Sequence, residues 1–416
     1  MSEIPAHCER PLDLSSNSPQ DVSYTSLIPP ELVDLFIDAL SHDRPSLKAC
    51  ALTGHAWLYR SQYRLHRHLR FSNLKHLTSD PLRYIDPAIA QYVHSLDLAT
   101  LPTVSSSPAD PCADRIQIWV ILSRLTQVRS VTIRSLEDAA TVTPFVSLAF
   151  PHVTELTLGR AEFDSFAQFK AFFASFVHLT RFQLDQFDVF PWASDSEDSE
   201  EESISEDEDD YLDFPLLRHM TLSGRSLYSD ELIDLAHWLR SELPGSYSLQ
   251  SLTFETWYGG RFGTMKAYLA ACRRSLQVLE LPMGASEPSI ARLNFKRFGF
   301  RHLTKLQTLS FVAAEHPWAI RHYTSDCVAL TLAEVTSNHI SQVVFDFSLA
   351  RGVSLASLVD FRTVDQVLSK PQFESVKFVD ILCNRDHGTS RGHLEDDIRQ
   401  ILACTVGRDI VRLDFG

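Results

Sequence analysis

Apolar positions recur along most of this chain as one short box, apolar-x-x-apolar-x-apolar. It reads VHSLDL from residue 93, VRSVTI from 128, VTELTL from 153, LTRFQL from 179, LRHMTL from 217 and LQSLTF from 249. LQVLEL from 276, LQTLSF from 306, ISQVVF from 340, FESVKF from 373 and IVRLDF from 410 continue it, and HRHLRF from 66 is a degenerate first copy. Successive starts from 93 onward lie 25 to 38 residues apart, which is the period of a supersecondary unit and too long for hairpins. Between boxes the apolar spacing turns helical, as in Arg115–Leu125, Phe163–Phe176, Asp230–Leu239, Thr264–Cys272, Val364–Leu368 and Leu394–Leu402. Short strands joined through helices imply parallel pairing by crossover. Within a box the last two apolar residues point to the same side, toward the helices. One unit alone buries a single face, so stacking of units must complete the core. The fold class predicted is therefore α/β, a solenoid of parallel strands and helices over 66–416.

The boxes resemble the LxxLxL segment of leucine-rich repeats. That family usually carries Asn or Cys three positions after the last Leu, whereas this chain has Leu101, Leu136, Ala161, Phe187, Arg225, Trp257, Gly284 and Ala314. The resemblance therefore implies an irregular array, a divergent horseshoe or arc with uneven helices. A doubly wound sheet competes with it, although eleven in-register copies would make an unusually wide one.

Ahead of the repeats, LIPPELVDLFIDALSHDRPSLKACALTGHAW spans Leu27 to Trp57. Pro29-Pro30-Glu31 is a helix start, because Pro suits the first helical position and an acid meets the positive helix end. The apolar residues Leu32, Val33, Leu35, Phe36, Ile37, Ala39 and Leu40 exceed one narrow stripe, which predicts cover on more than one side. Asp43-Arg44-Pro45-Ser46 starts a second helix and Trp57 heads a third. Three short helices cannot bury a sufficient core alone. Arg60, Arg64 and Arg67 share a helical face expected to be solvated.

This stretch, 27–65, resembles an F-box, the three-helix module that docks on the Skp-family adaptor of SCF ubiquitin ligases. Leu27, Pro29, Pro30, Glu31, Leu32, Ile37, Leu40, Leu47, Cys50, Leu52 and Trp57 carry the resemblance and, by it, are the adaptor-binding residues. The DRPxLxxCxL segment followed by Trp is similar to the F-box-like proteins of mushroom-forming fungi. The chain departs from that family at Thr53-Gly54-His55-Ala56, where a basic or Ser-rich run is common.

Composition alters this picture in one place. Of a net charge of −15, twelve acids lie in 194–213 with no base among them, which leaves −3 for the remainder. Such charge density cannot pack, so 193–213 is expected to be a disordered insertion in the array. It is either a solubilising tether or, at Ser196, Ser199, Ser203 and Ser205, a substrate for an acidophilic kinase. Residues 1–26 read as a disordered leader without a secretory h-region, and no run is long and apolar enough to span a bilayer. The seven scattered Cys lack a CxxC pair and fit a cytosolic or nuclear protein with reduced thiols. No general basic field points to nucleic acid, and no membrane partner is expected.

Candidate chemistry is sparse. GxxxxGK[ST] and HExxH are both missing. Tyr258-Gly259-Gly260-Arg261-Phe262-Gly263 resembles a phosphate loop but lacks its Lys-Ser/Thr and reads as a tight turn. Cys383, Asp386, His387 and His393 share one loop without a second ligand cluster, and read as surface. Catalytic residues, metal and cofactors are accordingly none, and the chain is not expected to be an enzyme. Binding is more legible. The open-face column should run Asp97, Thr132, Thr157, Gln183, Thr221, Thr253, Glu280, Ser310, Val344, Lys377, Asp414, a polar ladder suited to a protein or peptide. Arg134, Arg181, Glu280 and Lys377 are its candidate partner-binding residues. The resemblances imply a substrate-recognition subunit of an SCF-type ubiquitin ligase, partnered by the Skp-family adaptor, a cullin complex and an unknown protein target. The alternative is a non-catalytic repeat scaffold whose F-box-like helices only cap the solenoid.

Overall fold

The computed structural model describes residues 28–74, 86–101, 112–186, 215–223, 231–241, 248–255, 262–283, 298–313, 326–349, 359–385, 398–399, 402, 405 and 407–414. The leader 1–26 and the acidic stretch 193–213 lie outside them. Two compact units divide the chain, Met1–Arg67 and His68–Gly416.

The first unit holds α1 (Pro30–Ala39), α2 (Arg44–Thr53) and α3 (His55–His66). Pro30 opens α1 with Glu31 in its first turn, the arrangement a helix N-terminus favours. Asp43 caps α2: its carboxylate accepts from the Ser46 N–H at 3.3 Å and from the Ser46 hydroxyl at 2.5 Å. The third helix starts at His55, two residues ahead of Trp57, because the Gly54 carbonyl already accepts from the Trp57 and Leu58 N–H groups. Val33, Ile37, Leu47 and Leu65 form the core, with Leu40 and Trp57 packed against it. The arginine face expected to be solvated instead ties α3 to α1. Asp38 accepts from Arg60 at 2.9 and 2.6 Å and from Arg64 at 2.8 Å. The Arg60 and Arg64 guanidiniums hold its carboxyl well below the usual carboxylate range.

The second unit contains one parallel sheet of twelve strands. These are β1 (His68–Phe71), β2 (Ser95–Thr100), β3 (Ser130–Leu136), β4 (Glu155–Ala161), β5 (Arg181–Gln186) and β6 (His219–Leu222). They continue as β7 (Ser251–Phe254), β8 (Val278–Met283), β9 (Thr308–Ala313), β10 (Gln342–Leu349), β11 (Phe378–Arg385) and β12 (Val411–Asp414). Their order in the sheet is their order in the chain, β1 through β12. A doubly wound sheet reverses strand order at a switch point, and this one never does. With right-handed crossovers, a one-directional order keeps the connecting helices on one face, compatible with solenoid stacking. Those connections are α4 (Pro87–Ala90), α5 (Cys112–Arg124), α6 (Ala139–Ala149), α7 (Phe166–Ala174), α8 (Glu231–Ser241), α9 (Phe262–Cys272), α10 (Asp326–Glu334) and α11 (Phe361–Leu368). α5, α7, α8, α9 and α11 fall where the helical spacing predicts them. Of Leu394–Leu402, only 398, 399 and 402 lie within the described residues. α6 escapes the periodicity because its sequence AATVTPFVSLA is apolar nearly all round; Asp138 caps it through the Thr141 N–H.

Every box from 93 to 340 places its first, fourth and sixth residues in the core, as Val93, Leu96 and Leu98 do in the first of them. Two features join successive repeats without an Asn column. At the strand entrances each second-position carbonyl accepts two N–H groups of the next repeat: His94 from Arg129 and Ser130, Gln277 from Gln307 and Thr308, Ser341 from Lys377 and Phe378. At the exits, Leu101, Leu136 and Ala161 are buried, so an apolar contact stands where the family places a polar one.

The boxes read from 373 and 410 do not set the register. Gln342, third in its box, pairs with Phe378, so the eleventh copy is VKFVDI from 376, with Val376, Val379 and Ile381 buried. Asp380 then pairs with Arg412, which makes the last copy RDIVRL from 408. Its first position is an arginine: Arg408 donates to the carbonyls of Leu368, Phe373, Glu374 and Val376.

Candidate functional site

Two surfaces have the chemistry of binding sites. The first belongs to the helical unit. Helix α1 turns Val33 and Ile37 inward, and a hundred degrees per residue then sends Leu32, Leu35 and Phe36 elsewhere. Their exposures are 46%, 65% and 56%, and Leu52 on α2 stands 88% exposed. Four large apolar side chains in solvent on three short helices exceed the scattered singles of an ordinary surface. Of the residues assigned to adaptor binding by resemblance, Pro29, Pro30, Glu31, Leu32 and Leu52 are exposed, and Cys50 is half-buried with a free thiol. Ile37 and Leu47 are buried inside the unit, and Leu40 and Trp57 pack on that core. Those four hold the helices together, while Leu35 and Phe36 stand exposed beside Leu32. In the sequence these two are among the surplus apolar positions of the first helix that predict cover on a second side. Leu27 lies outside the described residues.

The second surface is the sheet face opposite the helices, formed by the third, fifth and seventh box positions. The corrected register makes its fifth-position column Arg70, Asp97, Thr132, Thr157, Gln183, Thr221, Thr253, Glu280, Ser310, Val344, Asp380, Arg412. Lys377 and Asp414 leave that column; Lys377 sits at the strand entrance, where its N–H bonds Ser341. Arg134 is on the face but engaged, donating to Asp97 at 2.7 and 2.6 Å, and Arg70 approaches the same carboxylate at 3.4 Å. The Arg134 guanidinium keeps the Asp97 carboxyl below its ordinary value. Arg181 bonds Glu155 at 3.1 Å. At the other end Arg412 donates to Asp380 at 2.5 and 2.7 Å and lies 3.7 Å from the Phe378 ring centroid.

Glu280 differs from these. Burial raises its carboxyl, and Asp346 and Glu255 add like charge. Glu255 is raised by burial and by Asp185, with Ser223 hydrogen-bonding against the trend; Asp346 is raised by burial alone. Glu255 and Asp346 were not singled out from sequence, because their proximity depends on which strands are neighbours.

Other candidate chemistry does not assemble. Cys383 is buried, and Asp386, His387 and His393 lie outside the described residues, as does Tyr258–Arg261. Phe262 and Gly263 simply open α9. Burial pushes the Cys272 thiol up to about 12, the opposite of an activated nucleophile. Among the described residues no group of three His, Cys, Asp or Glu could hold a metal ion, and no helix is long and apolar enough to cross a membrane. No protein-family model matches this chain, and a search of curated proteins finds no match to it.

Proposed function

We propose that this protein is the substrate-recognition subunit of an SCF-type ubiquitin ligase. Its helical unit is an F-box that docks on the Skp-family adaptor, and its leucine-rich-repeat-like solenoid selects the protein target. The observation that carries this reading is the apolar set Leu32, Leu35, Phe36 and Leu52, left in solvent on a unit whose core is only Val33, Ile37, Leu47 and Leu65. A second apolar surface on so small a module is a binding surface for another protein. Division of labour follows: the module joins the assembly in the cytoplasm or nucleus, and ubiquitin transfer belongs to the cullin-associated machinery. Co-expression of the full chain with a Skp-family adaptor, followed by affinity capture, tests the reading. A stoichiometric complex is expected. A cooperatively folded chain that captures none of the adaptor would overturn it, and leave a repeat scaffold in which those helices serve a different partner.

A further inference from the structure

The open face of the sheet is divided along its length. Over β1 to β6 its third, fifth and seventh positions are polar apart from Ala99 and Gly159; of its carboxylates, Asp97 and Glu155 are each held by an arginine of the same face, and Asp185 accepts from Gln183 and Ser223. From β8 to β11 the same positions carry Val278, Val312, Val344 and Leu382, all half-buried, an exposed Phe378, and Pro282, which is buried. Apolar side chains left partly in solvent on the face of a sheet away from its helices mark a contact surface. Among them stand Glu255, Glu280 and Asp346, whose shifts arise from burial and, for the two glutamates, from other acids, with no cation contributing among the described residues. Arg412, the base that does reach this end of the face, is spent on Asp380.

We infer that the open face of β7 to β11 is the target-docking surface, and that its occupant is a protein segment carrying aliphatic side chains flanked by Lys or Arg. The argument is complementarity on two counts at once. The valines and Phe378 need apolar partners. The carboxylates, Glu280 and Asp346 half-buried and Glu255 exposed, need cations, which this end of the sheet does not supply among the described residues. An acidic or purely polar segment would leave both needs unmet, since like charges across a contact are strongly unfavourable. This inference rests on the reading of the sheet as a target selector, but it does not need the ubiquitin ligase assignment.

The test uses the full chain and fluorescein-labelled 14-residue peptides read by anisotropy. One peptide alternates Leu or Val with Lys-Arg pairs; a second has Glu at each basic position; a third keeps the bases and replaces the aliphatics with Ser. The first should bind at least ~tenfold more tightly than either of the others, and weaken as salt is raised. The variant E255Q/E280Q/D346N should lose at least ~tenfold for the first peptide, while Glu374→Gln, on the turn before β11, changes nothing. The triple variant leaves the twelve acids of 194–213 in place. Unchanged binding by it would therefore assign the peptide to that run and overturn the inference, as would equal affinity for all three peptides. If the triple variant fails to fold, Glu280→Gln alone must show the same direction of change. Adaptor capture is measured on the same preparations. Failure of the parent chain to bind the first peptide with adaptor capture intact is a failure of this inference, and peptide binding without adaptor capture is a failure of the ligase reading alone.

Discussion

Helix α1 offers a controlled comparison, because neighbouring apolar residues on it have opposite environments. Leu35 and Phe36 are 65% and 56% exposed, while Ile37, the next residue, is fully buried. Full burial of such a side chain is worth ~1.5–3 kcal/mol, so covering these exposed fractions on docking contributes about 1–2 kcal/mol each. The double variant L35A/F36A should therefore weaken adaptor binding by roughly 2–4 kcal/mol, or about 30- to 700-fold in Kd. Its stability should stay within about 0.5 kcal/mol of the parent, because exposed truncations away from a core cost little. Ile37→Ala should behave in the opposite order. It opens a cavity at a cost of about 2–5 kcal/mol in a unit with only four core residues, so the module itself melts. Isothermal titration with the Skp-family adaptor and chemical denaturation followed by circular dichroism separate the two effects. If L35A/F36A binds the adaptor like the parent protein, the exposed face is not the docking surface. If it unfolds the module, the packing described for α1 is wrong.

Four further outcomes follow from single interactions. A Cβ on Gly159 would sit 2.5 Å from the Arg134 carbonyl oxygen, a backbone atom that cannot step aside; Gly159→Ala should cost about 1–3 kcal/mol in denaturant titration. The Tyr268 hydroxyl is buried with no hydrogen-bond partner among the described residues, so Tyr268→Phe should stabilise the repeat unit by about 1 kcal/mol. The depressed Asp38 carboxyl contributes stability that is complete above its unfolded value near 3.8 and lost as pH falls below it. Acid titration of the module should therefore show a loss below about pH 4 that Asp38→Asn abolishes. Glu255, Glu280 and Asp346 have the reverse sign: their raised carboxyls favour the protonated folded state, so they oppose folding once pH exceeds their ordinary values. E255Q/E280Q/D346N should raise the melting temperature at pH 7 and lose that gain near pH 4, and equal shifts at both pH values would refute the assignment.

The sequence by itself determined the repeating unit. Box spacing, alternation within each box and helical spacing between boxes are local properties. They placed the parallel strands β2 to β10 and most of the connecting helices, because residues a few positions apart decide which side of a strand or helix is apolar. The helix starts at Asp43 and Pro30 were legible for the same reason. Only the tertiary structure decided register and exposure. FESVKF and VKFVDI both satisfy the apolar pattern within six residues of each other; pairing of Gln342 with Phe378 selects the second and moves Lys377 off the open face. The last repeat begins with Arg408, which no apolar pattern could find, because four carbonyls of the preceding turn define its place. Likewise, α1 announced too many apolar residues, but the partition into a buried Val33 and Ile37 and an exposed Leu32, Leu35 and Phe36 depends on where α2 and α3 lie. Glu255, Glu280 and Asp346 become one group only because strands whose starts lie 27 to 34 residues apart in the chain are hydrogen-bonded neighbours in the sheet. Local pattern specifies an element and its faces; which face meets solvent, and which distant charge lies beside it, is a property of the assembled chain.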